Sequence, residues 1–323
     1  MQQYNYVIFQ TASEYFKISY SDLQKRNDVI YIDHFKPNKL KVKKLIHRIQ
    51  HSKKINSIIE LPLKKVWYHS YFRNSFDNNL PLCFIVNARL MQYSYLQEYI
   101  LYLKKQYNNA KFVCFYQDLV ETHPGAEPYK ILDLFDLTLS YDKGDVEKFG
   151  LIYHPTVFSN FIVENDNSIA KSDIYFIGLA KDRLKLILDV FIQLKKEGLI
   201  CDFHLSGVPP SKQIEEEGLN YIDKMSYKDN LKRVVRTKCI LEIVQGKAKG
   251  STIRTWEAIM YDKKLLTNNL SIVEDFYYDN NYISLLDGNK TDVEFIKHSN
   301  SYINPYKNQI SPNNLLEFIT QQL

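Results

Sequence analysis

Two charged residues, Arg254 and Glu257, follow a glycine-bearing polar turn at the start of a predicted helix. Residues three apart lie on one face of a helix, so the guanidinium and the carboxylate point the same way. A cation near a helix N-terminus is unfavourable unless an anion lies close to it, and a carboxylate one turn later can accept hydrogen bonds from a diol. The spacing therefore predicts contacts with a phosphate and a ribose. The alternative is an ordinary surface Arg–Glu pair.

The helix belongs to a short unit, residues 241–269, that is predicted to form a strand, a turn, the helix and a second strand. Its polar groups gather where the strands end, which is the edge at which open parallel sheets bind ligands. Gln245 and Gly250 lie in the turn and are predicted to contact phosphate or sugar, because helix N-termini present unpaired N–H groups to anions. Asn268 ends the second strand and is a further hydrogen-bonding candidate, although asparagine is also an ordinary turn residue.

A second candidate cluster lies upstream, where Gly178, Lys181 and Arg183 follow an apolar strand at residues 173–177. They open a helix whose apolar side chains recur at helical spacing, so that one side of the helix faces the sheet and its start points to the rim. Two cations at that rim can reach a diphosphate. The alternative is a solvated Lys–Asp–Arg cluster at an ordinary helix start.

A proton acceptor is predicted in the loop that follows the apolar strand at residues 111–116. Asp118 stands at the end of that strand, and His123 is close by in the same loop. Either side chain could take the proton of an attacking hydroxyl group. Asp118 is the first choice for a catalytic base, and the alternative is that it only caps the following turn. His154, beside Pro155, is a weaker option.

The order of segments predicts an α/β protein with two Rossmann-like domains that face each other across a cleft. The chain has 323 residues, too many for one ordinary core. Apolar runs alternate with amphipathic ones, which is typical of strand–helix units with parallel sheets. A polar stretch at 159–172 is the predicted linker between domains at 1–158 and 173–323. In the first half we predict strands at 5–9, 29–32, 57–60, 82–86, 111–116 and 137–140, and helices at 14–25, 39–51 and 91–106.

Composition argues against several other classes of protein. No apolar run reaches the eighteen or so residues needed to span a bilayer, and the first residues lack the features of a signal peptide, so a cytoplasmic protein is expected. The four cysteines are scattered through apolar segments and are predicted to be buried free thiols. The histidines are dispersed and no DxD-like acidic pair lies beside a strand, so we expect neither a metal nor a cofactor.

Residues 172–207 and 241–269 together resemble the carboxyl-terminal half of a GT-B glycosyltransferase of the bacterial surface-polysaccharide kind. The phrase FDLTLSYDKGDVEKFGLIYHP at 135–155 is similar to the same family. The resemblance implies that Lys181 and Arg183 contact donor phosphates, that Glu257 holds the donor ribose, and that the last helix, near 312–322, returns to the first domain. Lys249 stands where many retaining members have the first of two glutamates, so the stereochemical outcome stays open.

The function implied by this resemblance is transfer of a sugar from a nucleotide-sugar donor to a lipopolysaccharide, capsule or other surface glycan. The acceptor is a glycan or a lipid-linked glycan, and contact with the inner leaflet of a membrane is expected. A nucleotide-sugar epimerase on the same fold is an alternative enzyme. It would act without an acceptor.

A basic stretch at residues 36–65 supports a different kind of alternative. It holds ten Lys or Arg residues and a single acid, Glu60, and its apolar residues Val42, Leu45, Ile46 and Ile49 share one helix face. Three interpretations stay open: a patch that meets an anionic membrane, a nucleic-acid surface, or an ordinary solvated helix face. A net charge of only +5 argues against a dedicated nucleic-acid protein, so no nucleic-acid partner is expected.

Overall fold

A computed structural model describes residues 3–32, 41–56, 58–59, 61–244, 249–288, 291–298 and 303–323. The described residues form two six-stranded sheets in which every strand pair is parallel. Helices lie between successive strands and supply the core residues on both faces of each sheet. The predicted α/β class with parallel sheets is confirmed.

The first sheet has the strand order β2-β1-β3-β4-β5-β6. Its central strands are buried along their whole length, as expected of a parallel sheet that is covered on both faces. The strands are β1 (Asn5–Phe9), β2 (Val29–Ile32), β3 (Leu82–Asn87), β4 (Lys111–Tyr116), β5 (Leu137–Ser140) and β6 (Ile152–Tyr153).

The helices of this half are mostly short. They are α1 (Glu14–Ser19), α2 (Lys41–Gln50), α3 (Lys53–Asn56), α4 (Tyr68–Tyr71), α5 (Ser94–Gln106), α6 (Pro128–Ile131) and α7 (Lys143–Phe149). The longest, α5, buries Leu96, Tyr99, Ile100 and Leu103, whose spacing places them on one helix face. That face packs against the sheet in one continuous core.

The second sheet has the strand order β12-β11-β10-β7-β8-β9. Its strands are β7 (Ser172–Leu179), β8 (Cys201–Ser206), β9 (Leu219–Tyr221), β10 (Thr237–Glu242), β11 (Lys264–Thr267) and β12 (Ile283–Leu285). The helices are α8 (Leu184–Lys196), α9 (Tyr227–Arg236), α10 (Ile253–Met260) and α11 (Val293–Lys297), followed by α12 (Pro312–Gln322) at the end of the chain.

The helix α12 packs against the first sheet and not the second. Leu315, Leu316 and Ile319 join the core cluster that contains Tyr6 of β1. The hydroxyl groups of Tyr6 and Thr320 are 2.5 Å apart. Residues 154–171, which join the two sheets, contain no helix or strand, and a linker at 159–172 stays our proposal for the domain boundary.

Two sequence predictions in the first half need correction. The described residues of the predicted strand 57–60, Ile58 and Ile59, form an exposed turn outside both sheets. The predicted helix 14–25 breaks after Ser19 and continues as a 3-10 helix. The break coincides with a tertiary contact, because the backbone N–H of Asp22 donates to Ser159 Oγ at 2.9 Å instead of continuing the α-helical ladder.

Two further observations bear on the exclusions made from composition. No helix within the described residues has the length and apolar character required to cross a bilayer. The four cysteines are buried and unpaired, as predicted.

Candidate functional site

The carboxyl ends of the two sheets face each other and are joined by direct contacts. Asp142 follows β5, and its Oδ2 accepts hydrogen bonds from the backbone N–H groups of Lys249 and Gly250, each at 2.8 Å. Lys143 Nζ lies 2.7 Å from Asp275 Oδ1 on the other side. The predicted cleft therefore lies between loops that already hold the two halves together.

Gly250 serves this contact between the halves. A Cβ atom at residue 250 would lie 2.8 Å from the carbonyl oxygen of Tyr141 and equally close to its ring, so a larger residue would push the two loops apart. Its N–H group is already bonded to Asp142. Gly250 was predicted to contact phosphate or sugar, and the structure gives it a close backbone approach to the first half instead. Gln245, predicted in the same turn, lies outside the described residues.

Arg254 and Glu257 share one face of α10, as their spacing predicts, but Glu257 is buried and Arg254 is only partly exposed. Arg254 Nη1 donates to Glu257 Oε2 and, at 2.9 Å, to Asn230 Oδ1. Glu257 is 0% exposed, and its Oε1 accepts from the hydroxyl of Tyr227 and from Asn230 Nδ2, both at 2.8 Å. Burial and the Glu257 charge raise the pKa of Tyr227, which keeps that phenol a donor.

These contacts give the pair a structural role, and the phosphate and ribose contacts stay predictions. The anion that Arg254 requires near the helix N-terminus is Glu257 itself. Both carboxylate oxygens of Glu257 accept hydrogen bonds from protein side chains, so a ribose would have to share these oxygens or displace a protein donor. A buried charge is stable only when it is paired and hydrogen-bonded, and this network supplies both conditions.

Glu242, which sequence reasoning missed, lies at the end of β10 beside the start of α10. Its Oε1 accepts from the N–H of Thr252 at 3.1 Å, from the hydroxyl of Thr252 at 2.6 Å and from that of Thr255 at 2.9 Å. Its Oε2 accepts from Thr267 at 2.7 Å. A protein carboxylate therefore already satisfies the positive end of this helix. The sequence feature that could have identified Glu242 is its position within the apolar run LEIV, which is followed by three threonines.

The turn after β7 separates the two predicted phosphate-binding cations. Arg183 donates to the carbonyl oxygens of Ile243 and Leu179, which ties the end of β7 to the end of β10. Burial lowers the pKa of Arg183. Lys181 is exposed, has a left-handed backbone (φ 45°), and has no ion-pair or hydrogen-bond partner among the described residues. Of the two cations, only Lys181 has its charged group open to a ligand.

The remaining residues predicted on the second sheet make structural contacts. Gly178 lies inside β7, where a Cβ atom would come within 3.2 Å of the Phe176 ring. Asn268 Oδ1 accepts from the N–H of Val244 at 2.7 Å, so that it holds the chain after β10. This is the turn role that was the alternative for Asn268.

Asp118 lies where the sequence placed it, in an exposed loop at the carboxyl end of β4. Its Oδ1 accepts from the N–H of Leu119 at 3.0 Å. Burial raises the pKa of Tyr15 and of Tyr141, and the charge of Asp118 raises each further. The Tyr15 ring meets the Tyr227 ring edge-on at 5.4 Å. Asp118 is therefore close to the seam between the halves and open to a substrate.

His123 lies in the same loop as Asp118 but is buried. It is 2% exposed and packs on the ring of Tyr116. Its Nδ1 lies 3.3 Å from Gln92 Nε2, and its Nε2 is buried with no hydrogen-bond partner in the described part of the chain. Burial lowers the pKa of His123. The loop folds the imidazole inward, so this arrangement does not support the catalytic role, which stays a prediction.

A cavity of about 360 Å³ opens beside the ends of β1 and β2, and the sequence did not predict it. It is lined by Gln10, Thr11, Phe16, Lys17, Tyr20, Gln24 and Tyr31. Amide and hydroxyl groups beside aromatic rings suit a polar ring with an apolar face. The available signal was a set of amides that end three strands: Asn87 Nδ2 donates to Gln10 Oε1 at 3.2 Å and to Gln117 Oε1 at 2.9 Å.

The structure gives no direct support for a resident metal. The described residues contain no group of three or more histidine, cysteine, aspartate or glutamate side chains that could hold a metal ion. Catalysis by protein groups alone stays an expectation.

Comparisons with known proteins support the fold. No family model matches the chain, and no curated protein matches it. An α-glucosyltransferase solved with UDP-glucose and DNA containing an abasic site superposes with a TM-score of 0.52 at 12% identity, covering 98% of this chain and 93% of that one. An α,α-trehalose-phosphate synthase (UDP-forming) from Burkholderia vietnamiensis gives a TM-score of 0.50 at 8% identity, covering 99% and 94%.

A third structure, the GtfA/B complex, matches with a TM-score of 0.40 at 9% identity, and this chain spans only 56% of its length. The first two matches extend over almost the whole of both chains and both parallel sheets. The chain therefore has the two-domain GT-B fold.

Proposed function

We propose that this protein is a glycosyltransferase that moves a sugar from a nucleotide-sugar donor to an acceptor hydroxyl group. The observation that carries the proposal is the arrangement of two parallel six-stranded sheets with their carboxyl edges facing each other. Ligands of open α/β sheets bind at those edges. The fold neighbours with UDP or UDP-glucose in their names make a uridine nucleotide the first donor to test.

Lys181 is the residue proposed to meet the donor diphosphate. It follows β7, which lies inside the second sheet between β10 and β8. Its left-handed backbone costs on the order of 1 kcal/mol for a residue with a side chain, and such strain concentrates at functional turns. The Arg183 guanidinium stabilises this turn by donating a hydrogen bond to the carbonyl oxygen of Leu179. A cation held at the rim would stabilise the charge that develops on the leaving diphosphate.

Asp118 is the proposed base on the opposite side. The acceptor oxygen attacks the anomeric carbon of the donor, the bond from that carbon to the phosphate oxygen breaks, and the hydroxyl proton passes to the Asp118 carboxylate. Lys181 would offset the negative charge on the departing diphosphate. No resident metal is invoked. Such a single displacement inverts the anomeric centre. In a retaining reaction Asp118 would only position the acceptor, and Lys249, in place of a glutamate found in many retaining members of the resembled family, leaves both outcomes open.

The cavity at the ends of β1 and β2 is the proposed entry for the acceptor. Its amide, hydroxyl and aromatic lining fits a sugar ring. The resemblance in sequence makes a lipopolysaccharide, capsule or related surface glycan the proposed acceptor class, carried on a lipid and met at a membrane. An epimerase on this fold would isomerise the donor with no acceptor present, so product analysis without an acceptor separates the two enzymes.

The first test is a thermal-shift screen with UDP, GDP, CDP, CMP, dTDP and ADP. A nucleotide at a hundred times its Kd should stabilise the folded state by about 2.7 kcal/mol, which raises Tm by several degrees for a chain of this size. The Lys181→Ala variant should lose most of that rise. Lys185→Ala, another exposed lysine one turn along, is the matched control.

Two results would contradict the proposal. One is the absence of any shift with all six nucleotides at saturating concentration. The other is an equal loss of the shift in the Lys181→Ala and Lys185→Ala proteins, because it would indicate a general charge effect and not a site.

A further inference from the structure

The apolar face of the helix α2 points away from the rest of the protein. Val42, Leu45, Ile46 and Ile49 lie on one face, and their exposed fractions are 68%, 47%, 45% and 45%. His47 is the single fully buried residue among the ten of α2. An ordinary amphipathic helix buries its apolar stripe against the core. This helix does the reverse.

Polar and aromatic contacts hold α2 in this orientation. His47 Nε2 lies 2.7 Å from the hydroxyl of Tyr71, and its ring packs against Trp67. Trp67 Nε1 donates to Gln50 Oε1 at 2.6 Å. The His51 ring stacks on that of His47. His47 and His51 lie on the face opposite the apolar stripe, so the outward direction of that stripe is fixed by specific contacts.

The following loop extends the apolar surface. Gln50 Nε2 donates to the carbonyl of Pro62 at 3.1 Å, which brings the loop beside α2. Ile58 and Ile59 are 81% and 66% exposed there. We call the six exposed aliphatic residues Val42, Leu45, Ile46, Ile49, Ile58 and Ile59 the α2 surface. Exposed aliphatic residues concentrated in this way mark an interaction site.

Positive charge surrounds this surface. Lys41, Lys43, Lys44 and Arg48 are all exposed residues of α2. Residues 41–67 contain eight Lys or Arg and one acid, Glu60. The combination of an exposed apolar stripe with flanking cations is the arrangement that binds in the plane of an anionic bilayer, where aliphatic groups enter the acyl boundary and the cations meet the phosphates.

We propose that the α2 surface binds an anionic phospholipid bilayer. Two other occupants fit less well. A second copy of the chain would bring eight cations against eight cations across a two-fold contact, which is repulsive. A nucleic acid would meet the cations but would leave the aliphatic stripe in water, because single bases stack on aromatic and not on aliphatic side chains. The inference extends the proposed function, since it places the enzyme at a surface that carries lipid-linked acceptors.

The test is cosedimentation with sucrose-loaded vesicles of phosphatidylcholine, with and without phosphatidylglycerol. Neither donor nor acceptor is needed, so the result is independent of the nucleotide screen. The apolar variant is Leu45→Ser, Ile46→Ser and Ile49→Ser, and the charge variant is Lys41→Gln, Lys44→Gln and Arg48→Gln. The control replaces three exposed isoleucines elsewhere, Ile162→Ser, Ile200→Ser and Ile303→Ser.

The wild type should bind vesicles that contain phosphatidylglycerol and bind pure phosphatidylcholine weakly. Three cations together should change the partition by about a hundredfold, and the apolar variant should lose at least tenfold, while the control binds as the wild type does. Failure of the wild type to bind anionic vesicles would overturn the proposal. The proposal would also be overturned by two results found together. One is binding to duplex DNA, measured by fluorescence anisotropy, with an affinity that falls in the charge variant. The other is full vesicle binding by the apolar variant. A dimer that the apolar variant alone dissociates would overturn it as well.

Discussion

The carboxyl edges of the two sheets differ in how their charged residues are used. On the second sheet Glu242 and Glu257 accept hydrogen bonds from protein groups on both carboxylate oxygens, and Arg254 Nη1 donates to Glu257 and Asn230. On the first sheet Asp118 is exposed, and a cavity opens nearby. A charged residue after a strand is thus equally compatible with a structural and a chemical role. The number of protein donors and acceptors around the charged group separates the two.

The difference follows from burial. A charge that leaves water must be met by partners, and Glu257 meets Arg254, Asn230 and Tyr227. Asp118 remains in a solvated loop and keeps its second oxygen for a substrate. Lys181 is the counterpart of Asp118 on the second sheet. The substitutions that follow test whether Glu257 has a structural role and whether Asp118 acts on a substrate.

The largest expected effect on stability is that of Glu257→Ala. The substitution leaves the Arg254 guanidinium buried beside Asn230 without its carboxylate. Removing one member of a buried ion pair costs about 3–5 kcal/mol. The free energy of unfolding, measured in urea, should fall by that amount, while Glu274→Ala, an exposed glutamate, should change it little. A stable Glu257→Ala protein that loses nucleotide binding would contradict the structural role and restore the predicted ribose contact.

The next effect is on pH dependence, through His154 after β6. Its ring is buried between Phe115 and Phe318, and its Nδ1–H donates to the Pro155 carbonyl at 2.7 Å. Burial lowers the pKa of His154 from 6.5 to about 4. Between these values the unfolded state binds a proton that the folded state does not. Stability should therefore be complete above pH 6.5 and fall by about 3 kcal/mol as pH drops to about 4.

The variant His154→Asn keeps a donor near Nδ1 and removes the titration. It should flatten the urea-derived stability profile between pH 6.5 and pH 4, whereas His298→Asn, at an exposed histidine, should leave the slope unchanged. An unchanged slope in His154→Asn would show that other groups cause the acid sensitivity.

A smaller effect is expected at the contact between the halves. Asp142→Asn replaces an acceptor by a donor opposite the N–H groups of Lys249 and Gly250. Losing hydrogen bonds to a charged group costs about 1.5–3 kcal/mol. Lys249→Ala removes only the exposed ion pair with Glu147 and should cost less than about 1 kcal/mol. Equal losses of unfolding free energy in the two variants would show that the backbone contacts carry little of the interface.

Periodicity in the sequence was sufficient for most of the fold. The strand at 111–116 is an unbroken apolar run because both faces of its sheet are covered, and its bounds agree with β4. Residues 57–60 show the limit of the same reasoning. Ile58 and Ile59 were predicted to lie in a strand, and both are in an exposed turn. Apolar character indicates that a residue will be covered by something, and it does not indicate what covers it.

The candidate site was predicted less well, for a related reason. Helical spacing correctly placed Arg254 and Glu257 on one face. Their other partners, Tyr227 and Asn230, come from the preceding helix, and no local pattern shows that they converge there. His123 was assigned from its neighbour Asp118, and its burial depends on Gln92 and Tyr116 from elsewhere in the chain.

The most direct test of the account is release of free nucleotide from nucleotide sugars, beginning with UDP-glucose, in the presence of p-nitrophenyl glycosides as acceptors. We expect release from one donor by the wild type, a loss of about 10² to 10⁴-fold in Asp118→Asn with nucleotide binding retained, and little change in Glu121→Gln from the same exposed loop. An Asp118→Asn protein that turns over as fast as the wild type would contradict the assignment of the base. A wild type that releases nucleotide from none of the donors, and is stabilised by no nucleotide, would contradict the proposed function.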